Sequence, residues 1–238
     1  MPQNIDFFLD YSKDLVSVES SASLKKVYTI MYTKQVSYVP IINHNRKVNV
    51  GVYRRKTLFK WFILNQGKSI DEIPKNRFQE PPLPEADICT TLEDTMVAVK
   101  TKKAMLVKID NKYSKIITPR VIADALEVYS ARFMIFENLE LAIRNRILES
   151  NNILNEIDCT GLNKSIPVKP EDLEFGQYVT VLSQKWNELG LGSLDKQRGI
   201  KLLNSALQYR NRLMHFKKAK ENDNGLEAAK ELTEFFKS

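Results

Sequence analysis

The chain is poor in the residues that most often carry chemistry. Its 238 residues include two cysteines, two histidines, two tryptophans and eight glycines. Cys89 and Cys159 cannot make a disulfide framework, and their spacing matches no metal site. With only His44 and His215 present, a multi-histidine metal centre is excluded. No glycine-rich phosphate loop occurs. No apolar run approaches the ~20 residues of a membrane span. The start, Met-Pro-Gln-Asn-Ile-Asp, lacks the basic and apolar regions of a signal peptide. These absences lead us to expect a reduced, cytoplasmic protein with no membrane partner.

What is present is an ordinary globular composition. An apolar share of 43% is enough for a real core. The length suits one large domain or two small ones. A net charge of +7 favours a polyanionic partner.

The first half reads as a repeated α/β unit behind a lead-in of about twenty residues. Ser20-Ser-Ala-Ser precedes Leu24, Val27, Ile30 and Met31, which recur at helical spacing, and a serine there caps the helix. Val36 to Ile42 is rich in β-branched residues and predicts a strand. Asn43-His-Asn-Arg predicts a turn, with His44 as an exposed loop residue of no chemical role, and Val48 to Tyr53 a return strand. Leu58, Trp61, Phe62 and Leu64 suit a helix covering the sheet. Pro74, Pro81, Pro82 and Pro84 then mark a linker. After it the order recurs: helix from Leu92, strand Ala104–Ile109, turn at Asp110 and strand Ser114–Thr118.

Tyr38-Val-Pro-Ile-Ile followed by Val50-Gly-Val-Tyr resembles a CBS module, and the repetition resembles a CBS pair. That resemblance implies an adenine nucleotide held by a hydroxyl and an acid just after the second strand. Here Arg54 and Thr57 stand at those positions in the first copy. In the second, Thr118 fits, but Val121 replaces the acid. The alternative is a scaffold that helps dimerisation.

The second half predicts an all-helical bundle. Thr118-Pro119 opens a helix with a cap and a proline at its first position. Neither proline nor glycine follows until past Glu149. Ile122, Leu126, Tyr129, Phe133, Phe136, Glu140, Ile143 and Ile147 recur along it at three- and four-residue steps. One long helix should thus join the halves and let the first act on the second. After a polar loop over residues 151–169, helices are expected over about 171–189, from Ser193 or Asp195 to the stretch ending at His215, and over 226–236.

The chemistry-bearing stretch is Leu207-Gln-Tyr-Arg-Asn-Arg-Leu-Met-His-Phe216. A spacing of four places Asn211 and His215 on one helix face, with Arg210 about 100° to the side of Asn211. Histidine moves protons near neutral pH, and arginine is a fork-shaped phosphate partner. A histidine at a helix C-terminus also interacts with the helix dipole, and Arg-Asn-Arg also suits a solvated face.

Arg210-Asn-Arg-Leu-Met-His215 resembles the Arg-x4–6-His motif of HEPN domains. Phe136-Glu-Asn-Leu-Glu-Leu-Ala-Ile-Arg144 is similar to the first-helix pattern of the abortive-infection members of that family. The resemblance covers residues 119–238 and implies a four-helix bundle. It also implies a metal-independent endoribonuclease that needs no cofactor, works as a homodimer with a composite active site, and acts as a toxin or antiphage effector. An antitoxin or regulatory partner goes with that role. Arg210, Asn211 and His215 would be catalytic, and Arg212, Lys217, Lys218 and Lys220 would hold the RNA backbone. Glu140 and Arg144 would line the site, or serve as structural ion pairs. The expected fold is thus α+β: a CBS-like repeat pair over 1–118 and a HEPN-like all-α bundle over 119–238. The alternative function is a non-catalytic sensor that binds RNA or a partner.

Overall fold

A single turn of helix, α1 (Asp6–Leu9), sets Phe8 into the core ahead of the first repeat. The serine run then caps as expected. Ser23 accepts from the Lys26 amide at the start of α2 (Leu24–Thr33), which buries Leu24, Val27 and Met31. Strand β1 (Tyr38–Asn43) pairs antiparallel with β2 (Val48–Arg54). The turn between them holds His44, Asn45 and Arg46 at positive φ, a conformation that asparagine tolerates better than most residues. Helix α3 (Arg55–Leu64) follows at once. Leu58 is buried and Trp61 and Phe62 pack on the same cluster, whereas Leu64 is 70% exposed. Six residues beyond Leu58, Leu64 has turned to the far side of the helix.

The computed structural model describes residues 5–65, 69–70, 73–150, 153–157, 169–215 and 223–237. The proline-rich linker is more than a connection. It folds a 3-10 turn (Lys75–Phe78), then β3 (Gln79–Glu80), which adds to β2, and β4 (Glu85–Ala86), which runs parallel to β5 (Met105–Ile109) of the second repeat. The second repeat otherwise mirrors the first. Thr91 caps α4 (Leu92–Lys102), β5 pairs antiparallel with β6 (Lys112–Ile117), and Asp110 and Asn111 take positive φ in the turn. Ile42 and Val52 of one sheet share a buried cluster with Leu106 and Tyr113 of the other. The lead-in belongs to this core as well: Leu15 joins the shared cluster, Val18 that of the first repeat, and Ile5 and Phe8 that of the second.

Helix α5 (Pro119–Leu148) opens at the proline, with the Ile122 amide bonded to the Thr118 carbonyl. The chain divides into two compact units, Met1–Ala125 and Leu126–Ser238. The division between these units falls inside α5. The reason is local: Ala125 is buried among the second repeat's core residues, with Val121 and Ile122 packed against it.

Among the described residues the second unit is helical. Beyond α5 it has 3-10 turns at Ile153–Glu156 and Pro170–Asp172, then α6 (Phe175–Lys185), α7 (Lys196–Met214) and α8 (Gly225–Lys237). Helix α6 starts later than its apolar pattern predicts, because Glu174 and Gln177 form a capping box there, and it ends at Lys185. Within this unit α5 buries Phe136, Leu139, Ile143 and Ile147, and Phe133 and Leu141 stay exposed. Among the described residues no helix is long and apolar enough to cross a membrane.

Candidate functional site

The orientation of α7 decides where its motif residues project. Asp195 caps the helix by accepting from the Arg198 amide. Gly199, Leu203, Ala206, Tyr209 and Leu213 form its buried face. Tyr209 stacks on Phe136 of α5 with ring centroids 5.6 Å apart, and the Tyr129 hydroxyl donates to the Leu213 carbonyl at 3.2 Å. These contacts fix the rotation of α7 against α5.

Arg210 therefore projects at the edge of the buried face. Its guanidinium lies 5.2 Å from the Phe175 ring centroid, and Nη2 is 3.6 Å from Glu140 Oε2. The other oxygen of Glu140 is 3.2 Å from Arg144 Nη2. Arg144 Nε donates to the Tyr178 hydroxyl at 3.2 Å, and that hydroxyl donates to the Pro170 carbonyl at 3.0 Å. Burial pushes the Tyr178 phenol up, and Arg144 opposes this only in part. The bond to Tyr178 in turn pushes the Arg144 guanidinium up, so it stays charged. Arg210, Glu140, Arg144, Glu137, Phe133 and Leu141 line a cleft of about 330 Å³. The chemical content of this cleft is two arginines and two carboxylates, with both guanidinium groups turned to Glu140 and Glu137 beside them.

Asn211 and His215 are exposed and are not among the residues lining that cleft. His215 terminates α7, with its amide bonded to the Arg212 carbonyl at 3.2 Å. Five helical positions separate Arg210 from His215, so they project about 140° apart. Arg212, expected on an RNA-facing surface, is instead paired with Asp223, whose side chain is 6% exposed. That carboxylate also accepts from the Gly225 amide at 3.1 Å where α8 begins. Lys217, Lys218 and Lys220 lie outside the described residues, as do Cys159, Asn222 and most of the 151–169 loop.

The first unit has a cleft of its own, about 490 Å³, lined in part by Lys13, Lys34, Tyr38, Thr118, Arg120 and Asp124. Thr118 and Val121 both line it. Asp124, one turn further along α5, brings a carboxylate to the wall and stands 3.7 Å from Arg120. In the first copy the matching residues both engage Glu80. Arg54 Nε sits 2.6 Å from Glu80 Oε2, an ion pair without the alignment of a hydrogen bond, and Thr57 donates to Glu80 Oε1 at 3.1 Å. Sequence reasoning missed Lys13, Lys34, Tyr178 and Phe175. None falls in a motif, and each reaches its place through packing between segments distant in the chain.

No family model matches the sequence, and no curated protein matches it. Among solved structures, the chain is similar to a CBS domain-containing protein of unknown function from Bacillus anthracis str. Ames Ancestor. That match has 14% identity and a TM-score of 0.43, and covers 52% of this chain and 94% of that one. The chain is also similar to an uncharacterized conserved protein from Pyrococcus horikoshii, at 23% identity and a TM-score of 0.41, over 52% of this chain and 92% of that one. A third likeness is to a CBS domain pair crystallised with 5′-methylthioadenosine and S-adenosyl-L-methionine. It has 15% identity and a TM-score of 0.40, over 49% of this chain and 96% of that one.

Proposed function

We propose that this chain is a metal-independent endoribonuclease of HEPN type, a toxin or antiphage effector working as a homodimer and regulated through its CBS-like half. The observation that carries this reading is the end of α7. It presents Asn211 and His215 to solvent one turn apart, with Arg210 at a cleft holding a second arginine. In the reaction, the 2′-oxygen of the RNA attacks the adjacent phosphorus and the bond from phosphorus to the 5′-oxygen breaks. One proton leaves the 2′-hydroxyl and one reaches the departing 5′-oxygen. His215 serves these transfers as general base and then general acid. Arg210 stabilises charge on the phosphorane-like transition state, and Asn211 orients a phosphate oxygen or the imidazole. Because Arg210 and His215 project about 140° apart on one helix, a single site would combine Arg210 of one subunit with the partner subunit's His215.

For the first-unit cleft the proposed ligand is an adenine nucleotide. Lys13, Lys34 and Arg120 would meet its phosphates, and Thr118 and Asp124 its ribose, with Asp124 replacing the acid that Val121 lacks.

A second reading, the non-catalytic sensor, is favoured by one feature: Arg210 is already engaged by Glu140 and Phe175. One assay separates the two. The purified chain, His215→Ala and Arg210→Ala are incubated with RNA in excess EDTA, with and without AMP or ATP, and their masses are measured by light scattering. The ribonuclease reading expects a dimer whose cleavage survives EDTA, responds to nucleotide and drops roughly 10²-fold or more in each variant. RNA binding without cleavage moves the sensor reading ahead, and a strict monomer sinks the composite site.

A further inference from the structure

The exposed side of α7 carries a polar stripe that no motif announces. Gln197, Lys201, Asn204 and Gln208 follow one another at steps of four, three and four, and Asn211 and His215 continue the same alternation. All six are exposed, and this spacing keeps them on one helix face. From Gln197 to His215 the face runs about 27 Å at the α-helical rise.

The first part of the stripe lines a groove of about 820 Å³ that also includes Ser183 of α6 and Lys196. No carboxylate is among its described lining residues. Lys196 sits in the first turn of α7, which has no acidic residue. A cation there is unfavourable to the helix dipole, so helix stability does not explain it. The amides of Gln197 and Gln208 can both donate and accept hydrogen bonds, as base edges do, and Asn204, which donates to the Ile200 carbonyl at 2.9 Å, retains its acceptor oxygen. The Ser183 and Ser205 hydroxyls donate within their own helices and retain acceptor capacity. Cations for phosphates beside amides for bases, with no carboxylate among the described lining residues, are complementary to a polynucleotide.

We propose that this groove is a track for single-stranded RNA, which runs along α7 toward Asn211 and His215. The direction of the strand rests on the ribonuclease reading; binding in the groove is tested without cleavage. The full chain carrying His215→Ala is titrated with a fluorescently labelled single-stranded RNA at several salt concentrations, alone and with Lys196→Gln plus Lys201→Gln. Lys56→Gln plus Lys60→Gln, two exposed positions of α3, gives a control with the same change in net charge. If each groove lysine neutralises one phosphate, the slope of log affinity against log salt becomes shallower by about 1.4. Affinity at about 0.1 M salt then falls roughly 10- to 25-fold, and the control changes neither. RNA binding with an unchanged slope overturns the track while leaving the nuclease reading to its own cleavage assay. A slope lost equally in the control overturns it too, since net charge alone would then account for binding. A groove that ignores RNA but binds an acidic peptide through the same lysines overturns it in favour of a protein partner. If wild type neither binds nor cleaves RNA, the track falls together with the function.

Discussion

Gly199 is the position where a single added carbon should do most to disturb the bundle that presents the motif. It lies in the second turn of α7, directly under the Trp186 indole. A Cβ there would stand 2.7 Å from Cζ2 and 3.0 Å from Cζ3, and closer still to Cη2. The indole has little room to retreat. It is 1% exposed, donates through Nε1 to the Leu194 carbonyl at 3.2 Å, and stacks on Phe235 at 6.3 Å. Two opposing effects set the outcome of Gly199→Ala. Helix propensity stabilises alanine by about 1 kcal/mol. Overpacking against a held indole costs about 1–3 kcal/mol, and loss of the indole hydrogen bond about 1 kcal/mol more. Packing wins, with a net loss of about 1–3 kcal/mol. For a unit of this size that lowers the Tm by roughly 4–15 °C. Trp61→Phe leaves Trp186 as the one tryptophan, so its fluorescence follows melting of the second unit. A Tm raised by the alanine would refute the reasoning, because the indole would then be free to move. In a Trp186→Phe background the alanine should cost much less, a coupling of about 1 kcal/mol or more.

Two further outcomes follow from ion pairs. Arg212→Ala strands the Asp223 carboxylate and should destabilise the second unit by about 2–3 kcal/mol in a melt without RNA; Asp223→Asn added to it should restore part of the loss, and an unchanged Tm would assign Arg212 back to the surface. In the first unit, burial alone would push the Glu85 carboxyl up, but hydrogen bonds from Lys108, Tyr113 and Asn49 together outweigh it and hold it below its ordinary 4.5. A lowered carboxyl stabilises the fold above its unfolded value, and that contribution is lost as pH falls through its folded value. The Tm of the first unit should therefore decline through the acid range, and Glu85→Gln should flatten that decline; equal pH slopes in both proteins would remove Glu85 as the cause.

Much of the architecture is local, and the sequence by itself determined it. Ser23 and Thr91 start helices, Pro119 opens α5, and the polar turns at 44–46 and 110–111 take positive φ. Short-range sterics and capping decide all of these, so single residues announce them. The periodicity of α7 likewise set which of its residues share a face. Only the tertiary structure decided what those faces meet. Ile5, Phe8, Leu15 and Val18 read as a lead-in, yet they complete three separate clusters, because apolar burial depends on neighbours far away in the chain. The linker prolines hid two short strands, whose pairing is made by β2 and β5 and not by their own composition. Arg210, Glu140 and Arg144 meet around one cleft because Tyr209 and Phe136 lock α7 against α5. The same rotation pairs Arg212 with Asp223 and leaves His215 in solvent. Spacing along a helix states which residues can act together; packing of that helix states which of them do.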